Sequence, residues 1–392
     1  MPPGSRRPAW AVNAALAAGS LAAGLALCEI GARILLPPPQ RVKLETVERP
    51  DWSKFAPQET TAEKSIDSVV LFGGPHGVRL RPNTVGTIRH HALSGLDVVI
   101  RVNSVGLRYD ELGPKAPDEF RVLVLGDSIT FGDFLPEEET WTRRMEARTR
   151  GRAKTIRFIN AGLPGAGTLE EFWLFQEIKE VVRPDLVLVG IYLNDAQNAS
   201  QFYLKTLGPP WGKSRFLAWA AARFQLLEKG WFRNSLPGAV DPAWREEFAA
   251  GRTLRSGDML HTRDGFDFEI YNAYMDFGLG WNPKAWLEIE RILESLSGAV
   301  RAGGARLATG LFPVHIQILG SVEDTRPQES ARAMCARLGV PFFDPLPALR
   351  ADEAEHHRKL LYDHCHYTAY GYDLLAGKTV AWLDAEKLIP PP

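Results

Sequence analysis

Five short, continuous apolar runs punctuate the chain beyond Arg121: Val122–Leu125, Ile156–Ile159, Leu186–Leu193, Leu307–Phe312 and Val340–Phe343. Runs this short, without polar alternation, suit strands buried on both faces, as in a parallel sheet covered by helices. Between them lie helix-like stretches at Thr140–Arg150, Leu169–Val182, Ala285–Ala302 and Gln328–Leu338. Strand and helix in alternation predict an α/β domain, a three-layer α/β/α sandwich around a five-stranded parallel sheet. In such sheets ligands sit beyond the carboxyl ends of the strands, so chemistry is expected immediately after each run.

The residues found there are suggestive. The first run is followed by Gly126-Asp127-Ser128-Ile129-Thr130. A serine at a strand-to-helix turn stands exposed at the sheet edge, beside amides that favour a developing negative charge; alternatively, Ser128 only caps a helix. The second run leads into Asn160-Ala161-Gly162-Leu163-Pro164-Gly165-Ala166-Gly167-Thr168, where a free Gly165 amide can point at a substrate oxygen or simply belong to a turn. The third ends at Tyr192-Leu193-Asn194-Asp195; the Asn194 amide can serve the same oxygen, and Asp195 reads as the cap of a following helix. Near the end stands Asp363-His364-Cys365-His366. An aspartate three residues before a histidine on a tight turn can bond Nδ1 and leave Nε2 facing a nucleophile. Metal binding by His364, Cys365 and His366 competes, but no second cluster with zinc-like spacing accompanies it.

Taken in order, Gly126-Asp127-Ser128, the Gly165 loop, Asn194-Asp195 and Asp363-x-x-His366 resemble the four motif blocks of the SGNH (GDSL) hydrolase superfamily over about residues 120–385. The resemblance implies a flavodoxin-like fold and ester chemistry, with Ser128 as nucleophile, His366 as general base and Asp363 as its orienting partner. It also implies an oxyanion hole made by the Ser128 and Gly165 amides and the Asn194 side chain. Tyr192 stands where the family usually has a glycine, which leaves the Asn194 role intact. Asn103-Ser104-Val105-Gly106-Leu107-Arg108 resembles a bacterial subgroup with an N-terminal membrane segment. No cofactor and no metal are expected. Asp127, as the immediate neighbour of the nucleophile, is expected to be structural rather than the triad acid.

Ahead of this domain, Trp10–Cys28 is a run of nineteen uncharged residues that Ile30–Leu36 can extend, closed by Pro37-Pro38-Pro39. That length approaches the ~30 Å hydrocarbon core and reads as a retained single-pass anchor, with a cleaved signal peptide as the rival. Glu29 and Arg33 are spaced to pair on one helix face. Arg6 and Arg7 favour a cytoplasmic N-terminus and a periplasmic or extracellular catalytic domain, a bias weakened by Arg33, Arg41 and Lys43. The expected organisation is a tail at 1–9, an anchor at 10–36, a linker with a small β-rich appendage at 37–119, and the hydrolase domain at 120–389. In the appendage, Gly77–Asn83 and Val98–Val102 are strand-like and Asn103–Gly106 a turn.

Composition closes off other classes. With 46 basic and 47 acidic residues the chain lacks the basic surface a nucleic-acid partner needs. Three cysteines make no disulfide framework; only Cys335 and Cys365 could pair, and nothing in the sequence says they do. An insertion at 201–290 holds 17 of the 39 aromatic residues, Trp211, Trp219 and Trp231 among them, and suits a lid over an acyl pocket, a sugar-stacking platform, or a helical pair burying its own faces. His315, past the fourth run, either faces the substrate or is a loop residue; His90-His91 and His356-His357 read as solvated surface. The expected activity is hydrolysis of an ester on a lipid, glycan or small molecule. Acetyl transfer to a cell-surface polysaccharide, or a catalytically silent scaffold of the same fold, are the alternatives.

Overall fold

The computed structural model describes residues 9–35, 58–63, 69–74, 77–91, 94–132, 134–196, 214, 216, 280–281, 283–320 and 323–392. The aromatic insertion lies outside them except at 214, 216, 280–281 and from 283 onward. The chain divides into two compact units, residues 1–43 with 200–236 and residues 44–199 with 237–392.

In the first unit, α1 (Ala9–Leu35) is one continuous helix of 27 residues. Alanine and leucine, which lose little on entering a helix, dominate it. Its segment Leu16–Leu35 is, among the described residues, the one helix long and apolar enough to cross a membrane. Glu29 and Arg33 pair one turn apart at 2.7 Å, as their spacing allows. Glu29 also accepts from the Ser214 hydroxyl and the Phe216 amide, at 2.7 and 3.0 Å.

The second unit begins with β1 (Gln58–Glu63), β2 (Val70–Gly74), β3 (Gly77–Leu80), β4 (Thr84–Arg89) and β5 (Val98–Val102). β4 pairs antiparallel with β5 and parallel with β1, while β2 and β3 form a separate hairpin. After β5 the chain turns on Asn103. Its Oδ1 accepts from the Val105 and Leu107 amides at 3.0 Å each, and its carbonyl accepts from Gly106. This Asx-type turn swings the next residues inward, and the long side chain of Arg108 is completely buried.

Next come β6 (Glu119–Gly126), α2 (Ser128–Phe131), α3 (Trp141–Arg148), β7 (Thr155–Gly162), α4 (Thr168–Val182) and β8 (Leu186–Ile191). α5 (Pro283–Ala302), β9 (Arg306–Leu311), α6 (His315–Ile318), α7 (Arg326–Leu338), β10 (Phe342–Phe343), α8 (Leu346–His356) and α9 (Ala369–Ala385) complete the unit. The sheet order is β10-β9-β8-β6-β7, parallel throughout. This is the three-layer, five-stranded arrangement expected from the apolar runs. Val122, Leu123, Val124 and Leu125 are wholly buried, as is all of β8, each such side chain worth about 1.5–3 kcal/mol of burial. The last run pairs only at Phe342–Phe343, because Pro341 has no amide to extend the ladder.

The strand order places the site. The chain steps from β6 to β7 on one side, then back past β6 to β8 on the other. Right-handed crossovers therefore send α3 and α4 to opposite faces and open a crevice at the end of β6. Helix packing follows: α4 lies on α5 and α5 on α7, while α3 lies on α9. Ser128 is the first residue beyond this switch point to enter a helix.

Candidate active site

The turn after β6 is held by its own sequence. Asp127 caps α2, its Oδ1 accepting from the Ile129 amide at 2.9 Å. It is the structural residue its position suggested, and Ser128 stands half-exposed beside it. α2 lies so close on the end of β7 that a Cβ on Gly162 would come within 2.2 Å of the Phe131 nitrogen, so only glycine fits there. The α2 carbonyls are bound from three elements. The Tyr372 hydroxyl of α9 donates to Ile129, Asn160 of β7 to Phe131 at 3.2 Å, and Arg108 to Phe131 and Gly132 at 2.9 and 2.6 Å.

Across from Ser128 sits the loop carrying Asp363 and His366. A bridge between Leu361 and Tyr367 closes the loop, and the Tyr362 amide donates to the His366 carbonyl at 2.7 Å. His315, at the start of α6, is buried and its amide donates to the His364 carbonyl at 2.8 Å, so it ties the loop down from a second side. Inside the loop, the His366 Nδ1 lies 2.8 Å from Asp363 Oδ2, and its Nε2 lies 2.8 Å from the Ser128 Oγ. Asp363 has no proton to give, so Nδ1–H donates to it and Nε2 keeps its lone pair toward the serine. Oδ1 of Asp363 also accepts from the Cys365 and His366 amides, at 2.9 and 2.8 Å. Burial alone would raise this carboxyl. The charge and hydrogen bond of His366, with the His364 ring and the Cys365 amide, outweigh burial and hold it well below the usual carboxylate range.

The Gly165 and Asn194 loops follow β7 and β8, the two strands flanking β6. Backbone bonds lace them together: Leu163 donates to the Gly126 carbonyl at 2.9 Å and Thr168 to the Asp195 carbonyl at 3.1 Å. Gly165 adopts a φ of +71° with open space where a Cβ would be, so its demand is conformational and not steric. Asn194 sits in the turn closed by the Asp195 amide on the Tyr192 carbonyl, at 3.2 Å.

Several side chains take places the sequence did not suggest. Among the described residues the Asp195 side chain caps no helix; it is buried, and neither carboxyl oxygen has a hydrogen-bond partner there. Glu171, on the first turn of α4, is in the same condition. Burial, and then the neighbouring acids including Asp127, push both carboxyls well up. His91 was expected on the solvated surface, yet it is buried against Phe134 with ring centroids 4.4 Å apart. The same Phe134 ring lies 4.3 Å from His366. Burial, then the nearby His366, push the His91 imidazole down, with Asp363 opposing. No local pattern marks such a contact between residues so far apart in sequence. His356 and His357 are exposed, as read.

Among the described residues no disulfide joins Cys28, Cys335 or Cys365. Asp363, His364 and Cys365 bring three possible metal-ligand atoms within 4.8 Å of one another. Asp363 already accepts from three N–H groups, so a cation there would compete with His366 for its carboxylate.

The model of the GDSL-like Lipase/Acylhydrolase family matches residues 124–374. Among solved structures, the chain is similar to an acetyl xylan esterase, AlAXEase, with 13% identity, 67% of this chain and 98% of that one covered, and a TM-score of 0.37. It is similar also to the lipase/acylhydrolase from Enterococcus faecalis (14%, 70% and 99%, 0.37) and the psychrotrophic esterase EstA from Pseudoalteromonas sp. (12%, 69% and 99%, 0.37). No curated protein matches the chain.

Proposed function

The chain belongs to the GDSL-like lipase/acylhydrolase family, enzymes acting on esters, and from that premise we propose that Ser128, His366 and Asp363 cleave an ester by two-step acyl transfer. The observation that carries this reading is the unbroken relay from Ser128 Oγ to His366 Nε2 and from His366 Nδ1 to Asp363 Oδ2, 2.8 Å at each step. In the first step Oγ attacks the ester carbonyl while Nε2 takes its proton. The tetrahedral intermediate collapses to an acyl-serine as the imidazolium returns that proton to the departing alkoxide. In the second step His366 deprotonates water, which attacks the acyl group, and Ser128 leaves reprotonated. Asp363 stays ionised throughout and stabilises the imidazolium. We assign the oxyanion to the Ser128 and Gly165 amides and the Asn194 side chain; the laced loops after β6, β7 and β8 support that placement.

The substrate we infer is an ester on a lipid, a glycan or a small molecule. α1 acts, on this reading, as a single-pass membrane anchor, with Arg6 and Arg7 favouring a catalytic unit outside the cytoplasm. A fluorophosphonate probe tests the chemistry: the parent chain is expected to label and Ser128→Ala to stay unlabelled. Equal labelling of both removes the assignment. A transfer of acetyl to glycan hydroxyls that outruns hydrolysis would redirect it to acetyltransfer. Extraction of the protein from membranes by detergent and not by salt is the expected result for a retained anchor.

A further inference from the structure

Arg108 lies outside the residues 124–374 that match the family, yet its guanidinium reaches the nucleophile turn. Nη1 donates to the Phe131 and Gly132 carbonyls at 2.9 and 2.6 Å, and Nη2 to the Leu135 carbonyl at 2.7 Å. The first is the last carbonyl of α2 and the second that of its C-cap residue, which also accepts from the Leu135 amide at 3.3 Å; a cation is favoured at such a helix end. The Arg108 guanidinium also lies over the Phe131 ring, 5.1 Å from its centroid. The clamped carbonyls bracket Phe134, the ring packed on His366.

We infer that Arg108 is a positioning residue, whose fork fixes at once the turn that presents Ser128 and the Phe134 wall that backs His366. The inference rests on the catalytic reading of those two residues. The Asn103 turn aims Arg108 inward, so the segment ahead of β6 reaches a nucleophile turn that lies within residues 124–374. Two nitrogens of a planar fork, held apart by their common carbon, span three carbonyls. A lysine ammonium is one point charge and cannot hold all three in the same geometry. Misplacing a reacting group by ~1 Å costs on the order of 10²-fold in rate, which sets the scale of the effect.

The test uses the full chain and compares Arg108→Lys and Arg108→Ala with the parent. It measures kcat and KM on p-nitrophenyl acetate, the rate of fluorophosphonate labelling, and the thermal midpoint. The expected result for Arg108→Lys is a folded protein whose kcat and labelling rate fall about 10- to 100-fold while KM moves less than about threefold. Added guanidinium ion is expected to restore labelling to Arg108→Ala and not to Arg108→Lys. A folded Arg108→Lys that labels within about threefold of the parent overturns the inference. So does an Arg108→Lys that fails to fold, since Arg108 then serves the fold at large. Should Arg108→Ala not fold, the lysine variant decides alone. Ser128→Ala separates the two levels. If it labels like the parent, the catalytic reading itself falls; if it is silent while Arg108→Lys is unimpaired, only the clamp falls.

Discussion

Asp363→Asn changes one atom of the relay and leaves its shape. The asparagine oxygen is expected at the Oδ1 position, where the Cys365 and His366 amides donate at 2.9 and 2.8 Å and an NH₂ group could not accept. Its NH₂ group then takes the Oδ2 position, 2.8 Å from His366 Nδ1. Facing a donor, Nδ1 must present its lone pair, and the ring proton moves to Nε2. The Ser128 hydroxyl, 2.8 Å from Nε2, is then left without a proton acceptor. A wrong tautomer of this kind costs about 10⁴ in kcat, or about 5.4 kcal/mol at ~1.36 kcal/mol per tenfold. The fold loses only a charge-assisted bond, about 1.5–3 kcal/mol. The melting midpoint should therefore drop by roughly 3–12 °C and no more. The assay is kcat/KM on p-nitrophenyl acetate with circular dichroism on the same samples. A folded Asp363→Asn protein retaining activity within about tenfold of the parent would refute the tautomer argument.

Other perturbations discriminate further. Asn194→Ala is expected to lower kcat about 10²–10³-fold with an unchanged melting curve, the loss of one oxyanion donor; an unaffected kcat removes Asn194 from that role. Gly162→Ala should fail by geometry, its methyl 2.2 Å from the Phe131 nitrogen displacing α2, so that labelling of Ser128 and thermal stability both fall. Stability should also respond to pH through two opposed groups. Glu171 and Asp195 are raised by burial, so their contribution is complete below about pH 4 and is lost as pH rises through their folded values. The urea midpoint is expected to fall on the alkaline side, and Glu171→Gln to flatten that fall. Asp363 is held low, so its contribution is complete above about pH 4 and disappears as pH drops through its folded value.

The fold was legible because strands buried on both faces must be apolar at every position, as Val122–Leu125 and Leu186–Ile191 are. Ser128, Gly165 and Asn194 stood out because a parallel sheet puts chemistry just after such runs, whereas Asp363 and His366 follow α8 and were marked only by their own spacing. Buried polar groups were not. Glu171 looks like an ordinary acid in the first turn of a helix, and only the convergence of the β6, β7 and β8 loops seals it. His91 carries no local mark of its contact with Phe134, which depends on the appendage folding against the domain that follows it. The fifth strand is shorter than the run Val340–Phe343 because its second residue, Pro341, has no amide to extend the ladder. Arg108 belonged to a recognised segment, but the carbonyls it would seek could not be read from spacing.

The separation of Ser128 from His366, 238 residues along the chain, is also an interval of time. At ribosomal speeds of about 5–20 residues per second, His366 leaves the tunnel some 12 to 48 s after Ser128. The β6–α2–β7 portion, which contains the serine, is complete within its own neighbourhood well before then. If Ser128 and His366 act as proposed, a chain still being made carries the serine without the base that takes its proton, and the relay forms only once the last loop is delivered. On the proposed relay, synthesis interrupted before residue 366 leaves a fragment without its base, so acyl transfer of this kind waits for the last loop.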